Sequence, residues 1–217
     1  LRAGEILGIY GLMGAGRTEL FECLMGLRPQ ATGTVWLGGK KLSGGIDQRI
    51  AQGLVLIPED RQREGLVPEL SVAHNMLLAS LKRYLQRFFL SSAKENASVS
   101  RMIGELAIKV ANPQYPVASL SGGNQQKVVI AKALVQRPKL IIFDEPTRGV
   151  DVGTITEIHQ IINKLADEGL SVLVISSYLP EIMYLSDRIL VSRQGRIVEE
   201  FNPDNATETM IMYAAVH

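Results

Sequence analysis

The stretch from Glu5 to Tyr10, "EILGIY", is apolar at nearly every position, as in a strand buried on both faces of a sheet. Glycines follow in "GLMGAG", and a helical pattern then runs from Thr18 to about Met25, so that strand, loop and helix succeed one another directly. "GTVWLGGKKL" reads as a hairpin turning at Gly38 and Gly39, and "GLVLIPED" as a further strand. From about Arg61 to Val117 the pattern becomes helical. "SVAHNMLLASLKRYL" is capped by Ser71, and a polar link, "SSAKENAS", precedes a second helix in "VSRMIGELAIKVA".

After Leu120 strands and helices alternate again: "SGGNQQKVVIAKALV" as a helix stopped before Pro138, "KLIIF" as a buried strand, "TITEIHQIINKLADEG" as a helix and "SVLVIS" as a strand. In the second of these helices Ile155, Ile158, Ile162 and Leu165 recur at helical spacing, Thr154 and Glu157 have the form of a capping box, and Gly169 ends it. A hairpin, "RILVSRQGRIVEEF", and a short terminal helix complete the chain, without an internal repeat. The alternation predicts an α/β fold: a largely parallel sheet covered on both faces, with antiparallel β hairpins and an inserted helical subdomain. The expected organisation is one domain over residues 1–217, with an α/β core at 1–60 and 118–217 and the helical subdomain at 61–117.

Composition narrows the function. The 217 residues, 46% hydrophobic, suffice for a full core and set aside disordered and fibrous classes. With Lys+Arg at 23 and Asp+Glu at 22 there is no global field to draw in nucleic acid, so no nucleic-acid partner is expected. Cys23 is the one cysteine; among the apolar residues of "TELFECLMG" it reads as a buried thiol in a reducing compartment. No run approaches the roughly 18 apolar residues of a membrane helix, since "VVIAKALVQRPKLIIF" is broken by Lys132, Arg137 and Pro138. The chain opens at Leu1 without a methionine and enters a strand almost at once, so it reads as a piece of a longer polypeptide.

Three motifs carry chemistry. In "GIYGLMGAGRTEL" Gly11, four residues, Gly16, a basic residue and Thr18 have the form of a phosphate-binding loop, in which glycines turn backbone N–H groups around an anion at a helix N-terminus; the basic residue is Arg17 where such loops carry lysine. Alone, this loop does not distinguish a nucleotide site from an ordinary glycine turn. "LIIFDEP" ends an apolar strand with Asp144 and Glu145, where a sheet of this class binds ligands: Asp144 to hold Mg²⁺ through water, Glu145 to polarise an attacking water. The bland alternative is an acidic turn before Pro146. "LSGGNQQK" opens a helix with Ser121, Gly122 and Gly123, a second anion-binding terminus, and helix formation alone does not call for two glycines there.

With this third motif the chain resembles the ATP-binding cassette family, whose signature it is, and "DEPTRGVDVG" follows with Asp151 in the position of the dimer-contacting D-loop. "GLMGAGRTEL", "PEDRQREGL", "LSGGNQQK" and "DEPTRGVDVG" together are similar to the second cassette of the tandem ATPases of ribose, galactose, xylose or arabinose importers. The resemblance implies ATP and Mg²⁺ as cofactors. It implies nucleotide contacts from Gly11, Gly14, Ala15, Gly16, Arg17 and Thr18, from Ser121, Gly122, Gly123 and Gln125, and from Asp151. Metal ligation is implied for Thr18, Asp144 and Glu59. The implied partners are a first cassette, a membrane permease and, indirectly, a periplasmic or extracellular sugar-binding protein. The implied location is peripheral, on the cytoplasmic face of the membrane.

Four family positions that close around ATP, a lysine, a glutamine, a glutamate and a histidine, read here as Arg17, Glu59, Glu145 and Ser177. Arginine is longer than lysine and presents a planar fork, Ser177 is too short to reach a γ-phosphate, Glu59 adds negative charge, and Glu19 stands where a second hydroxyl is usual. The signature residues are intact, so the resemblance implies half of an asymmetric pair: an altered site of its own, and a competent one completed on the partner. The isolated chain is expected to be weak or inactive as an ATP hydrolase. A regulatory nucleotide-binding module and a cassette protein acting on DNA or ribosomes remain as alternatives; the latter calls for a basic surface or long coiled coil that the sequence lacks. The family stacks adenine on an aromatic ahead of the first strand, whereas Tyr10 is expected to pack. His74, His159 and His217 are expected to be packed or solvated, and "LKRYLQRFFL" to show a basic face over a buried aromatic one.

Overall fold

The computed structural model describes all 217 residues. Strand β1 (Ile6–Tyr10) leads through the glycine loop into α1 (Arg17–Met25); β2 (Trp36–Leu37) and β3 (Lys40–Lys41) form a hairpin, followed by α2 (Ile46–Gln52) and β4 (Leu54–Ile57). A π-helical turn, Arg61–Gly65, precedes α3 (Val72–Leu77) and a 3₁₀ segment, Leu78–Tyr84. A small hairpin of β5 (Leu85–Gln86) and β6 (Phe89–Leu90), then α4 (Ser92–Glu105) and α5 (Gly122–Leu134), lie before the returning alternation of β7 (Leu140–Asp144), α6 (Val152–Asp167), β8 (Ser171–Ser176) and α7 (Leu179–Leu185). The chain finishes with β9 (Arg188–Arg193), β10 (Arg196–Phe201) and α8 (Glu208–Val216).

Six strands form the main sheet in the order β10-β9-β1-β8-β7-β4, with every pair parallel except β9 with the edge strand β10. Parallel strands need crossovers and must be covered on both faces, which is why the interior positions of β1, β7 and β8 are apolar. Register places Tyr10 opposite Ser176 and Asp144 opposite Ile175, so the strands end level at the edge from which the glycine loop and the acidic pair emerge. Leu7, Ile9, Phe21, Met25, Ile142, Leu173 and Ile175 form a buried cluster that seats α1 on this sheet. The β9–β10 hairpin turns at Gln194 and Gly195, both with positive φ, as a two-residue turn between twisted strands requires.

Contacts divide the chain into two compact units. One comprises Leu1–Glu59, Pro138–Pro146 and His159–His217 and holds the sheet; the other comprises Asp60–Arg137 and Thr147–Ile158 and is helical.

Several local expectations are corrected. The polar stretch "SSAKENAS" lies inside α4 from Ser92 onward, with Ser91 at its N-cap, because Ala93, Lys94, Glu95 and Ala97 favour a helix that Val99 and Met102 anchor by burial. That helix ends at Glu105, with Ala107 left-handed at φ 48°, so "AIKVA" is not helical. Past Leu77 the helix loses its regular form at Ser80, whose hydroxyl donates to the Leu77 carbonyl and whose backbone leaves the helical region. The aromatic pair of "LKRYLQRFFL" is not buried, since the hairpin leaves Phe88 91% and Phe89 80% exposed. Asp151, not Thr154, caps α6: its carboxylate accepts from the Thr154 N–H at 3.0 Å and hydroxyl at 2.8 Å, and Glu157 instead pairs with Lys127 at 2.8 Å. Cys23 is half-buried.

Candidate functional site

In the sheet-bearing unit, β1 delivers the glycine loop. Tyr10 is packed as expected, its hydroxyl 2.7 Å from Met212 Sδ, and burial pushes its phenol above the ordinary value. Gly14 and Gly16 take left-handed φ of 79° and 82°, which only glycine adopts cheaply. Gly16 passes so close to the β9–β10 turn that a Cβ would stand 2.7 Å from Gly195 Cα, whereas one on Gly14 would meet nothing within 4 Å. The Ala15 carbonyl accepts from Ser192 Oγ and from the Gly195 N–H, each at 2.9 Å. The loop is thus pinned on one side and open at Gly14, and α1 directs its first N–H groups and the positive end of its dipole toward it. Thr18 and Glu19, at the start of α1, are exposed.

β7 delivers the carboxylates. Asp144 is its last residue and is buried; Glu145 follows with φ 46°, a left-handed conformation uncommon outside glycine, asparagine and aspartate. Three donors hold the Glu145 side chain: the Ser177 N–H at 2.8 Å and Arg17 Nη1 at 3.3 Å to Oε1, and Ser176 Oγ at 3.4 Å to Oε2. Arg17, Glu145 and Ser177 therefore converge, with Ser177 acting through its backbone while its side chain is exposed. Glu59, half-buried, follows β4 by two residues. Ser176 was not singled out in the sequence; its place at the carboxyl end of β8 is the signal that would have found it.

The helical unit carries the other motif. Ser121 caps α5, its hydroxyl accepting from Asn124 Nδ2 at 2.9 Å. The two glycines have a packing reason that the sequence did not disclose. A Cβ on Gly122 would lie 2.7 Å from Arg61 Nη2 and 3.1 Å from the Gly149 carbonyl, and one on Gly123 would lie 2.4 Å from Thr154 Cγ2. Gln125 turns inward, its amide donating to the Leu120 carbonyl at 3.2 Å and, more weakly, to that of Val117 at 3.4 Å, so it braces the loop rather than facing outward. Asp151 is exposed at the start of α6, and the hydrogen bonds from Thr154 hold its carboxyl below the ordinary value.

The histidines are as expected: His159 Nε2 lies 2.9 Å from Glu181 Oε1, His74 Nδ1 meets the Ser71 hydroxyl at 3.0 Å, and His217 stacks on Tyr213. No helix is long and apolar enough to cross a membrane.

The profile of the ABC transporter family matches residues 1–148. The chain is 43% identical over 219 residues to the xylose import ATP-binding protein of Escherichia coli and 45% identical over 216 residues to the ribose import ATP-binding protein of Halalkalibacterium halodurans. These alignments cover 100% and 99% of the chain but only 43% of either relative, so the chain spans less than half the length of the curated proteins it matches. Among solved structures, a dimeric ATP-binding cassette in a post-hydrolysis state with ADP and Pi superposes with a TM-score of 0.80 at 23% identity, over 94% of this chain and 87% of that one. A nucleotide-free cassette from an ABC transporter superposes with a TM-score of 0.81 at 21% identity, over 100% of this chain and 86% of that one. At such identity the likeness shows the fold, a cassette-type P-loop α/β fold.

Proposed function

Because the chain belongs to the ABC transporter family, we propose that it is the second of two ATP-binding cassettes in the ATPase of a simple-sugar importer, holding nucleotide at an altered site of its own and completing the site of the first. Xylose and ribose import relatives that align along its whole length support the substrate class. The expected partners are the first cassette, a membrane permease, and a sugar-binding protein outside the cell. The expected location is peripheral, at the cytoplasmic face.

The residues present fit ATP and Mg²⁺. The open face at Gly14, the left-handed Gly14 and Gly16 and the start of α1 suit a phosphate. The Thr18 hydroxyl and the carboxylates of Asp144 and Glu59 supply hard oxygen donors. Mg²⁺ there would offset phosphate charge. Within this site Arg17 does two things: it adds a cation beside the phosphate loop, and it engages Glu145, the carboxylate best placed to polarise a water.

The Arg17–Glu145 pair is the observation that carries the asymmetric reading. A carboxylate holding an arginine and two further donors is a poor water acceptor, whereas Ser121, capping α5, needs no change to serve a phosphate from another cassette. The same pair favours a second reading, in which this site binds nucleotide only to regulate the other. The test is sugar uptake and ATPase rate of the assembled transporter. Ser121→Asp keeps a good helix cap but sets a carboxylate against the partner's phosphate, and should lower both by about tenfold or more. Arg17→Ala should lower them far less; if Arg17→Ala abolished uptake and Ser121→Asp did not, the roles would be reversed.

A further inference from the structure

Arg61, the arginine of "PEDR", belongs to neither set of nucleotide-facing residues, yet it joins three segments of the helical unit. It opens the π-helical turn Arg61–Gly65, which Asp60 caps by accepting from the N–H groups of Gln62 and Arg63 at 3.1 Å each. Its guanidinium reaches the turn before α6: Nη1 donates to the Arg148 carbonyl at 2.9 Å and Nη2 to the Gly149 carbonyl at 3.0 Å. The same Nη2 would lie 2.7 Å from a Cβ on Gly122, so the first residue of α5 is glycine where the guanidinium passes. Gly149, left-handed at φ 68°, brings its carbonyl to 3.1 Å from that same Cβ position. Nε is buried, and burial pulls the guanidinium below its ordinary pKa.

A guanidinium partly withdrawn from water loses hydration; the charge of Asp60 offsets part of that, but its N–H groups are directed at two successive backbone carbonyls, so their placement is informative. A planar fork with fixed N–H directions can hold two adjacent carbonyls at once, and an ammonium cannot reproduce that geometry. The segment it holds is a turn with a left-handed glycine, which would otherwise sample several conformations. Its other neighbour is the helix start that carries Ser121.

We propose that Arg61 is a positioning residue: its guanidinium fixes the Arg148–Gly149 turn against the N-terminus of α5, so that Ser121, Gly122 and the Asp151 region are presented to the partner cassette in one shape. The inference rests on the reading that Ser121–Gly123 serve a partner's ATP.

The experiment uses the complete two-cassette ATPase with its permease, comparing Arg61→Ala, Arg61→Lys and Ser121→Asp. Preorganisation acts on the rate once ATP is bound, so Arg61→Ala should lower kcat by about tenfold and leave KM for ATP within about twofold. Arg61→Lys should recover less than half of the loss, and millimolar guanidinium ion should restore Arg61→Ala but not Ser121→Asp. Wild-type kcat in Arg61→Ala beside a defective Ser121→Asp overturns the proposal and leaves the underlying reading standing. Wild-type behaviour of Ser121→Asp overturns that reading and the proposal with it. Loss of kcat that tracks a lowered Tm and resists guanidinium makes Arg61 merely structural, and also overturns the proposal. Should Arg61→Ala fail to assemble, Arg61→Lys takes its place: full activity there overturns the proposal, and a lowered kcat with unchanged KM and Tm supports it.

Discussion

The guanidinium of Arg17 lies 3.3 Å from the carboxylate of Glu145, with 11% and 13% of the two side chains exposed. At that burial the pair is screened less than a surface pair, and removing one member strands the other. Arg17→Ala should destabilise the chain by about 1–3 kcal/mol, moderated because Ser177 and Ser176 still donate to Glu145. Adding Glu145→Gln should return part of that loss. Urea unfolding of the two single variants and the double variant measures the coupling, and additivity within about 0.5 kcal/mol would show that the pair contributes nothing.

The signature glycines should prove structural as well as functional. Gly123→Ala places a methyl 2.4 Å from Thr154 Cγ2, and Gly122→Ala places one 2.7 Å from Arg61 Nη2. Overpacking of this kind costs about 1–3 kcal/mol. Gly123→Ala should cost more than Gly122→Ala, because the end of a side chain yields more readily than a β-branched residue held on a helix. Thermal unfolding without nucleotide is the measurement. Unchanged Tm in both would mean that neither glycine is there for packing.

Contacts of this kind lie beyond what local sequence patterns report. Apolar runs in β1, β7 and β8 are local signals, so the parallel sheet and the ends of its strands were legible, and with them the positions of Asp144 and Glu145. The partners of those residues were not, because Arg17 and Glu145 are separated by 128 positions and no local pattern reports their approach. A helix cap was misread for a related reason: Thr154 with Glu157 has the form of a capping box, but Asp151 lies one turn earlier and offers a stronger acceptor. The exposed Phe88 and Phe89 escaped because helical periodicity was read through a segment that forms a hairpin. Replacing both with serine should therefore leave unfolding midpoints unchanged within error and reduce light scattering at high protein concentration. A clear fall in stability would mean that these rings are packed.

Lys127 is 3% exposed, with its ammonium 2.8 Å from Glu157 and 3.1 Å from the Ala107 carbonyl. The hydrogen bond and charge of Lys127 hold the Glu157 carboxyl below the ordinary value. A depressed carboxyl stabilises the fold above its unfolded pKa, near 4.3, and that contribution is lost as pH falls through the lower folded value. Glu157→Gln should therefore be less stable than the parent at neutral pH, with the difference shrinking as the solution is taken below about pH 4. Unfolding midpoints of both proteins across that range check it. A difference that stays constant with pH would assign the effect to packing.

Hydrolysis by the chain alone should be slow. In the proposed site Arg17 holds Glu145, Ser177 contributes only a backbone N–H to that carboxylate, and Glu59, itself a candidate metal donor, adds negative charge. Loss of one correctly placed charge stabiliser costs on the order of 10²-fold in rate, so the purified chain should turn ATP over far below the roughly 1 s⁻¹ at the low end of ordinary enzymes. Ser177→His alone should change little, because Arg17 would still occupy Oε1 of Glu145. Arg17→Lys combined with Ser177→His should take the arginine off that oxygen, leaving it only the backbone N–H of residue 177, and supply a longer donor at position 177, raising turnover by at least about tenfold. Phosphate release by the parent, both single variants and the double variant decides between them. If Ser177→His alone gave the full gain, the ion pair would not be what restrains Glu145; if the double variant stayed inactive with bound nucleotide, the altered site would lack more than these two side chains.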